Sequence, residues 1–548
     1  MKKLWTKLGA TLLALALLAS SFSGCGETKN TSSGASDSAQ ESSSTSASEK
    51  EVAKEENADP VTITSLLAVG TMPAEENMVL QEIRDRTGIN LQVTLVSQAD
   101  YENRKATLAA SRNLPDLIGY LGRSELRDMV NNGIAIPLDD LLESYGQEIL
   151  ENKGDLMEGN KIDGVTYAVP YGGTEAAVPS MMAVRQDWLD KLNLSVPETV
   201  DEFYEVMKAF TQQDPDGDGA QDTLGFGMGP NNLRDGIFQA YGIAVKSALE
   251  VENIVDMADV QAMLEKAGID SSLVSQITDS AVDGKLLVPE ILHPQYLEAV
   301  EYMHRLYAEG LMEPDFATIP WMQCLEKLWN GTYGAFDFSP VGTTNNWASR
   351  YTESPAPTFT YTILKTEYSD GGVLASPIDS SGVCVNSQCE HPEAAIEILN
   401  FLCSEEGNDL AILGIEGVHY KDNGDGTVSY LPPYDENLEQ QRTEGGFVYN
   451  SLMDRMGSAT LKTFNQVTTD AIEMGMEHQL ADSVFLVDSP EILVETGSIL
   501  TDMLDEAFSS LVVTNGNIEE EYGSYLERFC RSGGVDWVKQ ATEIYYQD

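Results

Sequence analysis

The sequence predicts an α/β protein with more than one domain, and three observations predict it. From Val61 onward, strand-like apolar runs alternate with amphipathic helical stretches, the pattern of a mostly parallel sheet covered on both faces. A chain of 548 residues is too long for one ordinary core and suggests two domains. Hydrophobic residues make up 42% of the chain, ample for burial, and no stretch of the body is long enough to span a membrane.

The N-terminus reads as an export leader. Lys2, Lys3 and Lys7 precede a short apolar run from Leu12 to Leu18, and the chain then reads Phe22-Ser23-Gly24-Cys25. The run is shorter than the roughly 20 apolar residues a spanning helix needs. Small residues directly before a cysteine resemble a bacterial lipobox, which implies that residues 1–24 are removed and that Cys25 is lipidated. Phe22 stands where such sites usually carry Leu. The plainer alternative is an ordinary leader with a chance cysteine. From Glu27 to Ala58 the chain is rich in Ser, Thr, Ala and Glu and holds no aromatic residue. Such a segment buries too little apolar surface to offset its ordering entropy, so 25–58 reads as a flexible tether at the outer face of a cell membrane.

The body opens with a β-α-β unit. Val61 to Val69 is β-rich, Glu75 to Arg86 is helical, and Gly88 stops the helix. Ile89, Leu91, Val93 and Leu95 alternate with polar residues as a half-buried strand does, and Asp116 to Ile118 forms a further short strand. Thr199 is a good N-cap and Glu202 completes a capping box, ahead of an apolar face of Phe203, Val206, Met207 and Phe210. Tyr296 to Leu311 is a second helix of this kind, and Pro392 starts another with Ile396, Leu399 and Phe401 directed inward. Asp422 to Tyr430 reads as a β-hairpin.

Lys and Arg number 33 against 88 Asp and Glu, a formal charge of −55. That excludes a nucleic-acid partner, whose phosphates demand a basic surface. An acidic solvated surface suits a soluble extracellular body. Beyond Cys25, the cysteines are Cys324, Cys384, Cys389, Cys403 and Cys530, an odd and scattered set that reads as small buried hydrophobes with one bridge possible.

Several segments in order carry a family resemblance: LQEIRDRTGINLQV at Leu80, NLPDLI at Asn113, NGIAIPLDDLL at Asn132 and DGVTYAVP at Asp163. They continue with VRQDWLDKLNLSVPETVDEFYEVMKAFTQQDPDGDGAQDTLGFG at Val184, LYAEGLMEPD at Leu306, HPEAAIEILNFL at His391 and GIEGVHY at Gly414. Together they resemble the family 1 extracellular solute-binding proteins of bacterial ABC importers. The resemblance implies a type II periplasmic-binding-protein-like fold, two discontinuous α/β lobes joined by crossing segments, with ligand held between them. The crossings are expected near Pro170–Val178, Phe336–Gly342 and between Ser404 and Tyr430. Lobe one would then hold residues 59–172 and 339–410, and lobe two 173–338, with 411–548 as hinge return and C-terminal part of lobe two. A monomer that captures a mono- or oligosaccharide and delivers it to a membrane permease is the implied function. Peptides and other small polar solutes are the alternative ligands.

Asp214-Pro215-Asp216-Gly217-Asp218-Gly219-Ala220-Gln221-Asp222 places carboxylates at positions 1, 3, 5 and 9, with Gly at 6, like the front of an EF-hand calcium loop. Calcium wants six to eight oxygens, and this spacing turns Asp214, Asp216, Asp218 and Asp222 toward one centre, with the Ala220 carbonyl. Gly225 stands where the bidentate Glu is expected. Related sugar-binding proteins carry a compact ending with an acidic pair, whose second position is Thr223 here. An acidic turn without metal is the bland alternative.

Sugars stack their C–H faces on aromatic rings and bond their hydroxyls to carboxylates and amides. Tyr171 and Glu175 lie in the first expected crossing, Asp337 in the second, Trp347 just after it, and Trp321 in the connection after Pro314-Asp315; these five are the candidate ligand-binding residues. Trp188 reads as core, and Arg185 stays undecided. A glycosidase would need a carboxylate pair, which 88 acids supply by accident, but no nucleophile elbow, His-Glu-x-x-His or phosphate loop is present. The sequence therefore points to a binder and not an enzyme.

Overall fold

The computed structural model describes residues 60–547 apart from 70–71, 98–99, 121–122, 172–179, 230–234, 246–248, 250–251, 349, 375–380, 436–437, 453–457, 481–482 and 485–489. The expected leader, Cys25, the tether and Glu175 lie outside the described residues.

Two separate sheets carry the two lobes. The lobe-one sheet runs in the order Asn90–Ser97, Thr62–Val69, Leu117–Tyr120, Gly382–Val385, Ala168–Pro170. Its first three strands are parallel, and Gly382–Val385 is antiparallel to both of its neighbours. The lobe-two sheet runs Phe359–Thr362, Met181–Arg185, Tyr333–Phe338, Leu224–Gly227. There Tyr333–Phe338 and Leu224–Gly227 are parallel, and Met181–Arg185 is antiparallel to the strands on either side.

Local signals account for the framing helices. The Asn77 side chain accepts from the Leu80 amide and opens helix Met78–Thr87, which Gly88 closes at φ 71°. The Thr199 hydroxyl accepts from the Glu202 amide, and the Glu202 carboxylate accepts in return from the amide of Glu198. That helix, Val200–Gln212, buries Phe203, Val206, Met207 and Phe210 as its spacing predicts. The hairpin forms as Tyr420–Asp422 paired with Val428–Tyr430. Of the five described cysteines, Cys324, Cys384, Cys403 and Cys530 are buried and Cys389 is half-buried.

The crossing segments differ from expectation. Phe336–Gly342 does not leave lobe two: Tyr333–Phe338 is a core strand, a π-helical turn Val341–Asn346 follows, and Phe359–Thr362 then pairs with Met181–Arg185. The chain returns to lobe one across residues 363–381 and enters the sheet at Gly382. It also stays there beyond residue 410, because Val448, Tyr449 and Leu452 pack with Ile63, Val79 and Leu399. The Tyr449 hydroxyl accepts from Asn77 at 2.7 Å, which ties this segment to the start of the lobe-one body. Ala471 packs instead with Met181 and Phe359, so the last crossing falls between Leu452 and Ala471 and not between Ser404 and Tyr430. A four-residue strand and a contact 372 residues apart leave no periodic trace in the sequence.

Trp188 sits in the lobe-two core at 1% exposure, edge-on to Phe210 at 5.3 Å and under the Arg185 guanidinium at 4.4 Å. Trp188→Ala is expected to lower unfolding stability by about 3–5 kcal/mol, as loss of a core aromatic does. Urea denaturation checks this; a loss under about 1 kcal/mol would contradict the core assignment.

Candidate ligand-binding site

Connections from parallel strands gather at the carboxyl ends of those strands, where open α/β sheets take their ligands. In lobe one that edge holds Val69, Ser97, Tyr120 and Pro170, and Gly382 enters beside Tyr120 and Pro170. In lobe two it holds Gly227 and Phe338, with Met181 opposite Phe338 and Thr362 opposite Met182. The passages Pro170 to Met181 and Thr362 to Gly382 therefore join one carboxyl edge to the other. They touch, since the Tyr171 amide donates to the Ser381 carbonyl at 3.1 Å.

The lobe-two edge is aromatic. Helix Trp321–Trp329 precedes the strand Tyr333–Phe338, and its first residue lies 5.6 Å from Phe338, ring centre to ring centre. Phe338 stacks on Trp347 at 4.8 Å and 20°, and Trp347 meets Trp329 edge-on at 5.9 Å. Trp321, Phe338 and Trp347 are all half-buried. Gly342 makes room for the stack: a Cβ there would stand 2.6 Å from Phe338 Cε1. The helix is pinned from behind by Glu313, a fully buried carboxylate that accepts from Lys327 Nζ at 2.7 Å and from the Tyr333 hydroxyl at 2.5 Å. The sequence singled out Trp321 and Trp347 separately and passed over Phe338, on which both pack.

Asp337 lies beneath this edge and not on it. Side chains alternate along a strand, so it points away from Phe336 and Phe338. It is fully buried; its Oδ2 accepts from the Gly236 amide, while Oδ1 has no hydrogen-bond partner among the described residues. Burial pushes its carboxyl up to about 7.

Tyr171 corrects the expectation of an open stacking ring. It is 5% exposed and packs into the lobe-one core, with its hydroxyl over Gly119, where a Cβ would collide with it. Arg185 ends the antiparallel strand at the opposite edge, held by Asp187 at 2.6 Å and Glu353 at 2.9 Å, and has no place in the site.

The acidic loop lies apart from both edges. Carboxylate oxygens of Asp214, Asp216 and Asp218 come within 4.8 Å of one another, and Gly217 and Gly219 at φ 80° and 85° permit the turn. Burial and then a side-chain hydrogen bond with Asp214 push the Asp216 carboxyl above its usual range. Three of the expected ligands therefore fit a hard cation. Asp222 falls outside the cluster, and Thr223 is buried with its hydroxyl donating to the Phe210 carbonyl, so neither extends it.

Residues 79–415, more than half of the chain, match the bacterial extracellular solute-binding protein family, and the chain belongs to that family. The polygalacturonan/rhamnogalacturonan-binding protein YtcQ of Bacillus subtilis is 24% identical over 86% of this chain and 89% of its own. Lipoprotein LipO of the same organism is 22% identical over 100% of this chain and 98% of its own. The Streptococcus pneumoniae ABC-transporter substrate-binding protein FusA, solved in complex with kestose, superposes with a TM-score of 0.65 at 18% identity, covering 89% of this chain and 99% of that one. An EF-hand mutant of FusA, solved with fructo-nystose, superposes at 0.61 with the same identity, over 89% of this chain and 99% of that one. The fold is that of type II periplasmic solute-binding proteins.

Asp337 makes a pH prediction. Its folded carboxyl titrates near 7, above the value of about 3.9 in an unfolded chain, so the folded state holds the proton more tightly. The stability this contributes is complete below about pH 4 and is lost as pH rises through about 7. Asp337→Asn should remove that share of the pH dependence, narrowing the fall in melting temperature between pH 5 and pH 8. An unchanged profile would show that Asp337 does not titrate there.

Proposed function

We propose that this chain is the extracellular, lipid-anchored substrate-binding component of an ABC importer and that its ligand is an oligosaccharide. The observation that carries the ligand class is the joined aromatic wall of Trp321, Phe338 and Trp347 at the lobe-two carboxyl edge. Sugar C–H faces pack on such rings, and a ligand held between two hinged edges is shielded from water as the edges approach. Two relatives named for saccharides, one for polygalacturonan and rhamnogalacturonan and one solved in complex with kestose, support the same class. The named relatives are binding proteins, which supports capture without turnover. The anchor at Cys25 rests on the leader that ends there and on a relative named a lipoprotein. We further propose that the protein acts as a monomer and releases its ligand to a membrane permease.

Trimming an anchor ring in a desolvated pocket typically costs about 2 kcal/mol or more, roughly thirtyfold in affinity. Trp321→Ala and Trp347→Ala should each weaken oligosaccharide binding by that order in titration calorimetry, while Trp188→Ala should affect stability instead. Wild-type affinity in both mutants would remove the aromatic wall from the site.

The acidic loop is proposed to hold calcium through the carboxylates of Asp214, Asp216 and Asp218 and the carbonyl of Ala220. Bound there, the ion would fix a surface turn of lobe two and would stabilise the fold by about 2.7 kcal/mol at a hundredfold excess over its dissociation constant. EDTA should lower the melting temperature, and Asp216→Ala should abolish that response. Melting that ignores EDTA, with no metal in elemental analysis, would overturn the assignment.

A further inference from the structure

The lobe-one edge carries a polar cluster with no role assigned above. Helices Tyr101–Ala110 and Arg123–Asn131 follow strands Asn90–Ser97 and Leu117–Tyr120, so both begin at the carboxyl edge. They bring Tyr101, Glu102, Lys105 and Glu125 together around Gly119 of the second strand. Lys105 is only 6% exposed, and its Nζ lies 2.5 Å from Glu125 Oε1, 3.1 Å from Glu102 Oε1 and 3.4 Å from the Gly119 carbonyl. The Tyr101 hydroxyl donates to that same carbonyl at 3.3 Å, and the ammonium stands 5.2 Å from the Tyr101 ring centre. A Cβ on Gly119 would collide with the hydroxyls of both Tyr101 and Tyr171, so the strand yields its side chain at the point where these groups converge.

A buried ammonium requires close partners, and this one has the carboxylates of two residues beside it. The cation is sequestered, yet the groups that hold it are not: Tyr101 is half-buried and the Glu125 side chain is 33% exposed at the edge. A carboxylate fixed by a buried ammonium is a preorganised acceptor for hydroxyl donors, and it loses little freedom when one arrives. An incoming carboxylate would instead meet like charge.

We propose that Tyr101 and Glu125 contact the ligand, that Lys105 is the positioning residue behind them, and that the unit they receive is an uncharged, hydroxyl-rich sugar and not a uronate. This rests on the oligosaccharide reading above and names the class of sugar. It gives the site two unlike walls, aromatic on lobe two and hydroxyl-binding on lobe one.

The test is calorimetric titration of the full chain, and of Tyr101→Phe and Glu125→Gln, with two sets of trisaccharides. The neutral set is kestose, maltotriose, cellotriose and galactotriose; the charged set is trigalacturonate and triguluronate. The expected result is binding within the neutral set, weakened at least tenfold by each substitution, with melting within about 3 °C of wild type. Both replacements keep the size of the side chain, and melting separates a contact from a folding defect. Preference for a uronate, or wild-type affinity in both variants, overturns the proposal while leaving the oligosaccharide reading intact. Binding of no member of either set contradicts the oligosaccharide reading itself.

Discussion

The polarity of the strands is the constraint on which the rest of the structure depends. Parallel strands place their outgoing connections at one edge, and helices that follow or precede them then begin at that edge. This is why Tyr101, Glu125 and Trp321, each in the opening turn of a different helix, and Phe338, at the end of a strand, all stand at carboxyl edges. Two passages of chain run from edge to edge, so the same polarity that collects the candidate ligand groups also collects the hinge. Site and hinge are neighbours as a consequence of topology.

The edges are held rigid by buried polar groups that find partners inside. Glu313 binds a lysine from the helix of Trp321 and a tyrosine from the strand of Phe338, fixing the spacing of two of the three rings. Lys105 does the equivalent on lobe one by joining two helices to the carbonyl of Gly119. Removing Lys327 would leave the Glu313 carboxylate buried without its cation, at a cost of about 3–5 kcal/mol, whereas Lys105 keeps a second carboxylate when one of its two is neutralised. With a formal charge of −55, the chain is short of cations, and Arg185, Lys105 and Lys327 are each used internally.

Much of the fold was legible because it is local. The strand at Thr62–Val69, the caps at Thr199 and Gly88 and the amphipathic helix after Thr199 depend on residues close in sequence, and they form as the pattern implies. The ordered segments from Leu80 to Tyr420 pointed to the family through the same local matches. What stayed hidden is long-range. The strand Phe359–Thr362 has four residues, too few for a period, and the Asn77–Tyr449 bond spans 372 positions, so both crossings were misplaced. Site residues followed the same rule. Trp321 and Trp347 were visible as aromatics near a turn, but Phe338 looks like any strand residue until it is seen between them. Tyr171 and Asp337 were singled out by their position along the chain, yet burial, which spacing does not report, holds both inward. Asp222 matched the spacing of a calcium ligand, but it does not join the cluster of the other three carboxylates.

On the proposed function, each molecule captures one oligosaccharide between the two edges and leaves the bonds of the sugar intact. Native mass spectrometry of the protein purified from its own growth medium tests that most directly. The predicted result is a single adduct whose mass is that of a neutral oligosaccharide, released unchanged on denaturation. A peptide adduct, or a saccharide recovered as hydrolysis fragments, would contradict it.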